Sequence, residues 1–293
     1  MLSIRSVFVA ALILVSTLSI PQVLAKSPVW KVSKDGDYIY LGGTIHMLSE
    51  KDYPLPQAFQ KAYADTDSIV LEIDFRGLEA PELQGQFLEA ISYKDHRSLS
   101  NVLTEDVYKR LDDVLKSRAI PIAALDKLTP FGAMMTITQI ELKRLGLIGV
   151  DGVDLHFTKR AERDNKELMS LESIEEQLSF MHSMNGLDPN AVVILGIEEL
   201  LGLESIWFDL VASWRSGDLA QLEKLGIDNM KSEFPLMYQT MLVQRNKAWL
   251  NDIEILMTNQ AKEFVLVGAL HMAGEEGLIT QLEKRGYTID QLD

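Results

Sequence analysis

Two histidines stand in the same local setting near opposite ends of the chain. Tyr38-Ile39-Tyr40-Leu41-Gly42-Gly43-Thr44-Ile45-His46 is a β-rich run that enters a glycine turn and ends on an imidazole. Phe264-Val265-Leu266-Val267-Gly268-Ala269-Leu270-His271 repeats the device, an apolar strand followed by Gly-x-x-His. Imidazole ligates divalent metals and moves protons near neutral pH. Glycine lets the backbone turn sharply at a strand end and lets another group come close. Residues just past such strands lie where open α/β sheets place their ligands. Glu72, in Ile69-Val70-Leu71-Glu72-Ile73, is the third candidate. A carboxylate in an apolar strand is costly unless paired, hydrogen-bonded or metal-bound. Plainer readings stay open on the residues alone. Two turn histidines can be satisfied by backbone groups, and Glu72 can face solvent if Leu71 and Ile73 share the inward face.

Two more polar residues deserve a place beside these. Glu172 ends another predicted strand, just before Ser173-Ile174-Glu175-Glu176, a capping box that accounts for Ser173 and Glu176 without any function. Arg245 and Trp249 lie one helical turn apart on one face, where the guanidinium can bind a carboxylate or only brace the fold. The remaining histidines have structural explanations. His96 sits in an exposed charged loop, His156 inside a helix, and His182 near a helix C-terminus that favours a cation. The acidic run Gly149–Asp154 lacks the further ligands of a calcium loop, and Asp151 reads as a helix cap. Met134 and Met135 read as core filling.

The elements that must position these groups follow from periodicity. Strands are expected at 29–34 and 38–41, joined by the hairpin signal Asp35-Gly36. Further strands are expected at 68–74, 166–171, 263–267 and 287–289. Helical spacing covers 57–64, 82–92, 104–117 and 131–145, then a helix through Arg163 and another to Met184. It continues to about Glu199, then over 203–215, 219–225 and 233–258, and in a last helix to Lys284 closed by Gly286. The expected class is α/β, one domain of two layers over residues 26–293, with a long helical insertion between its halves.

Composition narrows the classes of function. The formal net charge of −15 repels phosphate backbones and argues against a nucleic-acid partner. The chain has no cysteine, which excludes thiolate chemistry and disulfides and leaves stability to the core. Arg5, the apolar run Val7–Ile20 and Val23-Leu24-Ala25 read as a leader cleaved after Ala25, so residues 1–25 are a signal peptide. An uncleaved anchor helix is the alternative. The expected location is the bacterial periplasm, with secretion second. No later stretch is continuously apolar enough to span a membrane; Val192–Leu203 comes nearest, and Glu198 and Glu199 interrupt it.

Taken together, several runs resemble the TraB/PrgY/GumN family, which is related to the TIKI metalloproteases and more distantly to erythromycin-esterase and ChaN-like proteins. The resemblance starts at Leu41-Gly42-Gly43-Thr44-Ile45-His46 and continues through Leu55-Pro56, Ala58-Phe59 and Ala62-Tyr63 to Val70-Leu71-Glu72-Ile73-Asp74. It resumes at Gly149-Val150-Asp151, Leu171-Glu172 with Gln177, Arg245-Asn246 with Trp249, and Val267-Gly268-Ala269-Leu270-His271 with Gly274. It implies an α/β fold in which two similar β-containing halves face each other and the Gly-x-x-His motifs meet. It also implies a hydrolase, peptidase-like, with a divalent cation on His46, Glu72 and His271; the relatives suggest manganese or cobalt, and the ligand types alone also suit zinc. Glu72 would be ligand or general base, Glu172 a second acid/base or a group that supports the ligands from behind, and Arg245 would orient substrate or stabilise an oxyanion. The alternative is a non-enzymatic binder of a peptide, a metal or haem.

Overall fold

A computed structural model describes residues 26–78, 80–259 and 261–293; the leader expected at residues 1–25 lies outside them. Its strands in chain order are β1 (Val29–Lys34), β2 (Asp37–Thr44), β3 (Met47–Leu48), β4 (Ser68–Leu71), β5 (Val150–Asp151), β6 (Glu167–Ser170), β7 (Glu263–Gly268) and β8 (Thr288–Gln291). Six of them make one sheet in the order β6-β4-β7-β2-β1-β8, while β3 and β5 form a separate ladder. Neighbours from β6 to β2 are parallel, and β1 runs antiparallel to both β2 and β8. The class is therefore mixed α/β.

Local chemistry explains the frame. Asp35 and Gly36 both hold positive φ, 54° and 100°, which suits the tight hairpin joining β1 to β2. The central strands are largely apolar because helices cover both faces. On one face Phe59, Phe157, Trp214 and Leu266 belong to one buried cluster; on the other, Trp249, Ile253, Val265 and Leu282 belong to a second. A third cluster, with Leu111, Ile137, Val193 and Ile197, lies among the intervening helices. Trp214, fully buried, donates its indole N–H to Gly43 O at 2.7 Å and anchors the end of β2. Among the described residues no helix is long and apolar enough to cross a membrane.

The structure departs from the periodicity in instructive places. The segments expected as two helices around 199–203 are one helix, Pro189–Ser216, because Val193, Ile197, Leu200 and Leu203 keep one buried stripe across the junction. Conversely, 233–258 is not one helix. Pro235, which lacks an N–H, opens a short helix Pro235–Tyr238; a π-helical turn Gln239–Val243 and the helix Gln244–Leu256 follow. The intervening helices also fall in two stretches, on either side of β6. Asp151 is not a cap: it lies in β5, and Gly152 caps the helix Val153–Asp164. Met135 is 38 % exposed, so only Met134 fills core.

Gly152 couples this frame to His46. A Cβ at position 152 would lie 2.1 Å from the His46 carbonyl group, so the two backbones touch only because the side chain is absent. Gly152→Ala is expected to cost about 1–3 kcal/mol of stability, read as a lowered urea midpoint at unchanged slope; an unchanged midpoint refutes the close-approach role.

Candidate functional site

Four parallel strands deliver their carboxyl ends to one edge. Thr44 at the end of β2 is in register with Gly268 at the end of β7, so both Gly-x-x-His turns start side by side. Leu71 ends β4 opposite Leu266, which puts Glu72 one residue past the ladder. Glu172 N–H donates to Glu72 O at 2.9 Å, continuing the pairing beyond β6 and setting the two carboxylates next to each other. The solvent-facing alternative for Glu72 is therefore wrong: the residue is 4 % exposed, and its neighbour Glu172 is also buried.

Arg245 ties the two carboxylates together. Its Nη2 donates to Glu72 Oε2 at 2.5 Å and also to Glu172 Oε1. Its Nε donates to Glu172 Oε2 at 3.2 Å, and Nη2 reaches Gln177 Oε1 at 3.2 Å. The guanidinium lies 4.6 Å from the centre of the Trp249 ring, a cation–π contact. Gly268 N–H donates to the other Glu72 oxygen at 2.6 Å. The π-helical turn just upstream shifts the helix phase, and both Arg245 and its neighbour Asn246 reach the site.

Asn246 settles the state of His271. Its amide nitrogen donates to two backbone carbonyls, of His271 and Glu276, so its oxygen faces the ring. That oxygen is 2.6 Å from His271 Nδ1, which must carry the proton. His271 Nε2 then presents its lone pair, 3.2 Å from Arg245 Nη1 and 4.0 Å from Glu72 Oε1. His46 is oriented in the same manner by Asp154. Asp154 Oδ2 holds His46 Nδ1 at 2.8 Å, and its Oδ1 accepts from the Thr44 hydroxyl at 2.8 Å. Asp154 is brought there by the β3–β5 ladder and by Val153 N–H donating to Ile45 O.

All five candidates thus come to one edge of the sheet, but not on equal terms. Glu72, Glu172, Arg245 and His271 are in direct contact and buried, whereas the His46 side chain is 53 % exposed at the rim and bonds to Asp154 instead. Asp154 and Asn246 went unassigned in the sequence. The available signals were a second acid three residues after Asp151 and a polar neighbour to Arg245 in an otherwise apolar helix face.

The electrostatics separate the two carboxylates. Burial pushes Glu72 up, but the Arg245 guanidinium, with His271, His46 and the Gly268 N–H, outweighs it and holds the carboxyl down at about 2. Burial raises Glu172 above the ordinary range, and Arg245 only partly offsets this. Asp154, bonded to Nδ1, raises His46 to about 9. The stabilisation from that pair is complete below pH 6.5 and fades as pH rises through 9.

The donor chemistry suits a divalent cation: the free Nε2 of His271, the Nε2 of His46 once a cation has displaced its proton, and one ionised carboxylate. Their placement is less closed. Among the described residues no group of three or more His, Asp or Glu side chains is gathered tightly enough to hold a metal ion, and Arg245 is the present partner of both Glu72 and His271.

Burial, then the positive Arg245, lower His271 to about 3, against a raising effect of Glu72, so the folded protein keeps it neutral. The unfolded chain takes up that proton near pH 6.5. Stability should therefore fall as pH drops from about 6.5 towards 3, at up to ~1.4 kcal/mol per pH unit for one proton. His271→Gln is expected to flatten the dependence of urea-unfolding free energy on pH in that window by close to one proton; an unchanged slope overturns the assignment.

Comparison with known proteins bears on the whole chain. TIKI2 metalloproteases from Danio rerio and Xenopus tropicalis are 22% and 23% identical to it, over 86% of this chain in each case and 58% and 57% of their own lengths. A TIKI1 metalloprotease from Danio rerio is 21% identical over 92% of this chain and 64% of its own length. The chain thus spans less than two thirds of the length of these relatives. The TraB/PrgY/gumN family model matches residues 28–291, which includes both Gly-x-x-His turns, both buried carboxylates and Arg245. By that match the chain belongs to the TraB/PrgY/gumN family.

Proposed function

We propose that this chain is an exported metal-dependent hydrolase of peptides, with His46, Glu72 and His271 taking a divalent cation: manganese, cobalt or zinc. The observation that carries the reading is the meeting of two imidazoles, each with Nδ1 held by a second side chain, and an ionised buried carboxylate at one sheet edge. The relatives, named as metalloproteases, support the same class. When bound, such a cation supplies Lewis acidity towards a carbonyl and a means of ionising water near neutral pH.

The residues have separable tasks in this reading. Glu72, with its carboxyl held low, is a charged donor and a weak base. Glu172, pushed the other way, is the group suited to carry a proton between reactants, since environments that drive two carboxyls apart divide acid from base roles. Arg245 sets the distance between them and, stacked on Trp249, reaches an oxyanion only by giving up one of its present partners, Glu72 or His271. Asp154 and Asn246 keep both Nε2 atoms aimed outward from their Nδ1 partners. The same reading takes residues 1–25 as a cleaved leader, residues 26–293 as one periplasmic or secreted domain, and the two Gly-x-x-His turns as counterparts from two similar halves.

A second reading has its own observation. Because Arg245 already partners Glu72 and His271, the cleft can act as a binder that captures a peptide, a metal or haem without turnover. The two are separated with protein stripped of metal and resupplied with manganese, cobalt or zinc. Cleavage of a peptide library, followed by mass spectrometry, should require the metal and stop with chelator. His46→Ala, His271→Ala and Glu72→Gln should each lower turnover by about 100-fold or more, and Glu72→Gln should still bind peptide. Metal-independent turnover, or full activity in these variants, overturns the hydrolase; binding without cleavage under every metal selects the binder.

A further inference from the structure

A cavity of about 520 Å³ opens beside the candidate site, with His46 in its wall. It is the gap left where the helix Pro130–Arg144 meets Pro189–Ser216 and the segment around Phe234. Its walls are mainly apolar and flexible: Phe131, Met134, Met135, Leu195 and Met237 face into it. The two helices press together at Gly196, where a Cβ would lie 2.7 Å from the Met134 side chain. Methionines pack adaptably against varied apolar groups, and Met135 is left partly exposed with nothing covering it.

Three polar groups break the apolar lining. Thr138 and Gln139 stand on one helix and Glu199 on the other. Gln139 donates its amide N–H to Met47 Sδ at 3.5 Å, which sets it next to His46. Glu199 has no ion pair or hydrogen bond among the described residues and is exposed at the mouth of the cavity. A cavity of this size encloses a whole small ligand or more than one side chain. A bare acyl chain matches the apolar walls but makes no use of the polar groups, of which Gln139 and Glu199 are exposed at the mouth and Thr138 is half-buried. A peptide pairs them through its backbone amides while filling the walls with side chains.

We propose that this cavity is the specificity pocket of the chain, and that it takes two neighbouring large apolar side chains of a peptide lying on one side of the bond presented to His46. The proposal deepens the hydrolase reading and rests on it for the words "bond presented". The pocket's preference is measurable without turnover.

The probes are two fluorescein-labelled hexapeptides that differ only in a central Leu-Phe or Ser-Asn pair, and fluorescein-labelled dodecanoate. Binding to the full mature chain is read by fluorescence polarisation with chelator present. The Leu-Phe peptide should bind about tenfold or more tighter than the Ser-Asn peptide. Thr138→Trp, which fills the cavity, and Met135→Glu, at an exposed wall position, should each reduce that preference to below about twofold. Far-UV circular dichroism checks that each variant is folded; Met135→Glu serves if Thr138→Trp is not. Equal binding of the two peptides, or a preference that survives in the folded variants, overturns the pocket. Dodecanoate binding as tightly as the Leu-Phe peptide overturns the peptide assignment. Metal-dependent cleavage with no apolar preference sinks the pocket alone, and preference with no cleavage sinks the hydrolase alone.

Discussion

One buried guanidinium sets the charge balance at the centre of this molecule. Arg245 lies between Glu72 and Glu172, all three withdrawn from water. Two carboxylates against one guanidinium leave one negative charge in excess. In a medium that solvates charge poorly, that excess is relieved by raising the proton affinity of one carboxyl, and Glu172 is the one that gives way. Glu72 stays ionised because it also accepts the Gly268 N–H and feels the protonated His46. Such clusters bring little net stability, since desolvation consumes most of the attraction, yet they tolerate no missing partner. The cluster is thus better understood as a device for setting protonation states than as a brace.

The sheet order makes the cluster possible. β4 and β7 are neighbours although nearly two hundred residues separate Glu72 from Gly268, and β2 sits on the far side of β7. Parallel pairing forces all their carboxyl ends to one edge, so each strand delivers its first loop residue to the same place. The π-helical turn supplies what strands cannot, a helix whose successive residues Arg245 and Asn246 both reach the site. Trp249, one turn on, closes the floor beneath Arg245 and His271. The two histidines end in unlike surroundings. His271 is buried, neutral and fixed, while His46 is open to solvent and drawn towards its protonated form by Asp154. A site with one rigid inner imidazole and one exposed outer imidazole has an inside and a mouth, and the apolar cavity adjoins the mouth.

Much of this was legible before any coordinates. The Asp35-Gly36 hairpin, the Ser173–Glu176 capping box and the two Gly-x-x-His turns are written in residues only a few positions apart. Their conformations depend on near neighbours, so the sequence by itself determines them. The positions of His46, Glu72, Glu172, Arg245 and His271 at element ends or on a helix face were readable for the same reason. What the tertiary structure alone decided is which of these groups meet. Arg245 finds Glu72 across 173 residues, and Asp154 finds His46 across 108. Periodicity carries no information about such pairings. It also made one helix of 233–258, because the π-helical turn keeps nearly helical spacing, and it broke Pro189–Ser216 in two, although one buried stripe runs through the junction. Whether a strand-borne carboxylate is a solvated ornament or the charged heart of a site depends on what packs against it, and only the folded chain brings that partner near.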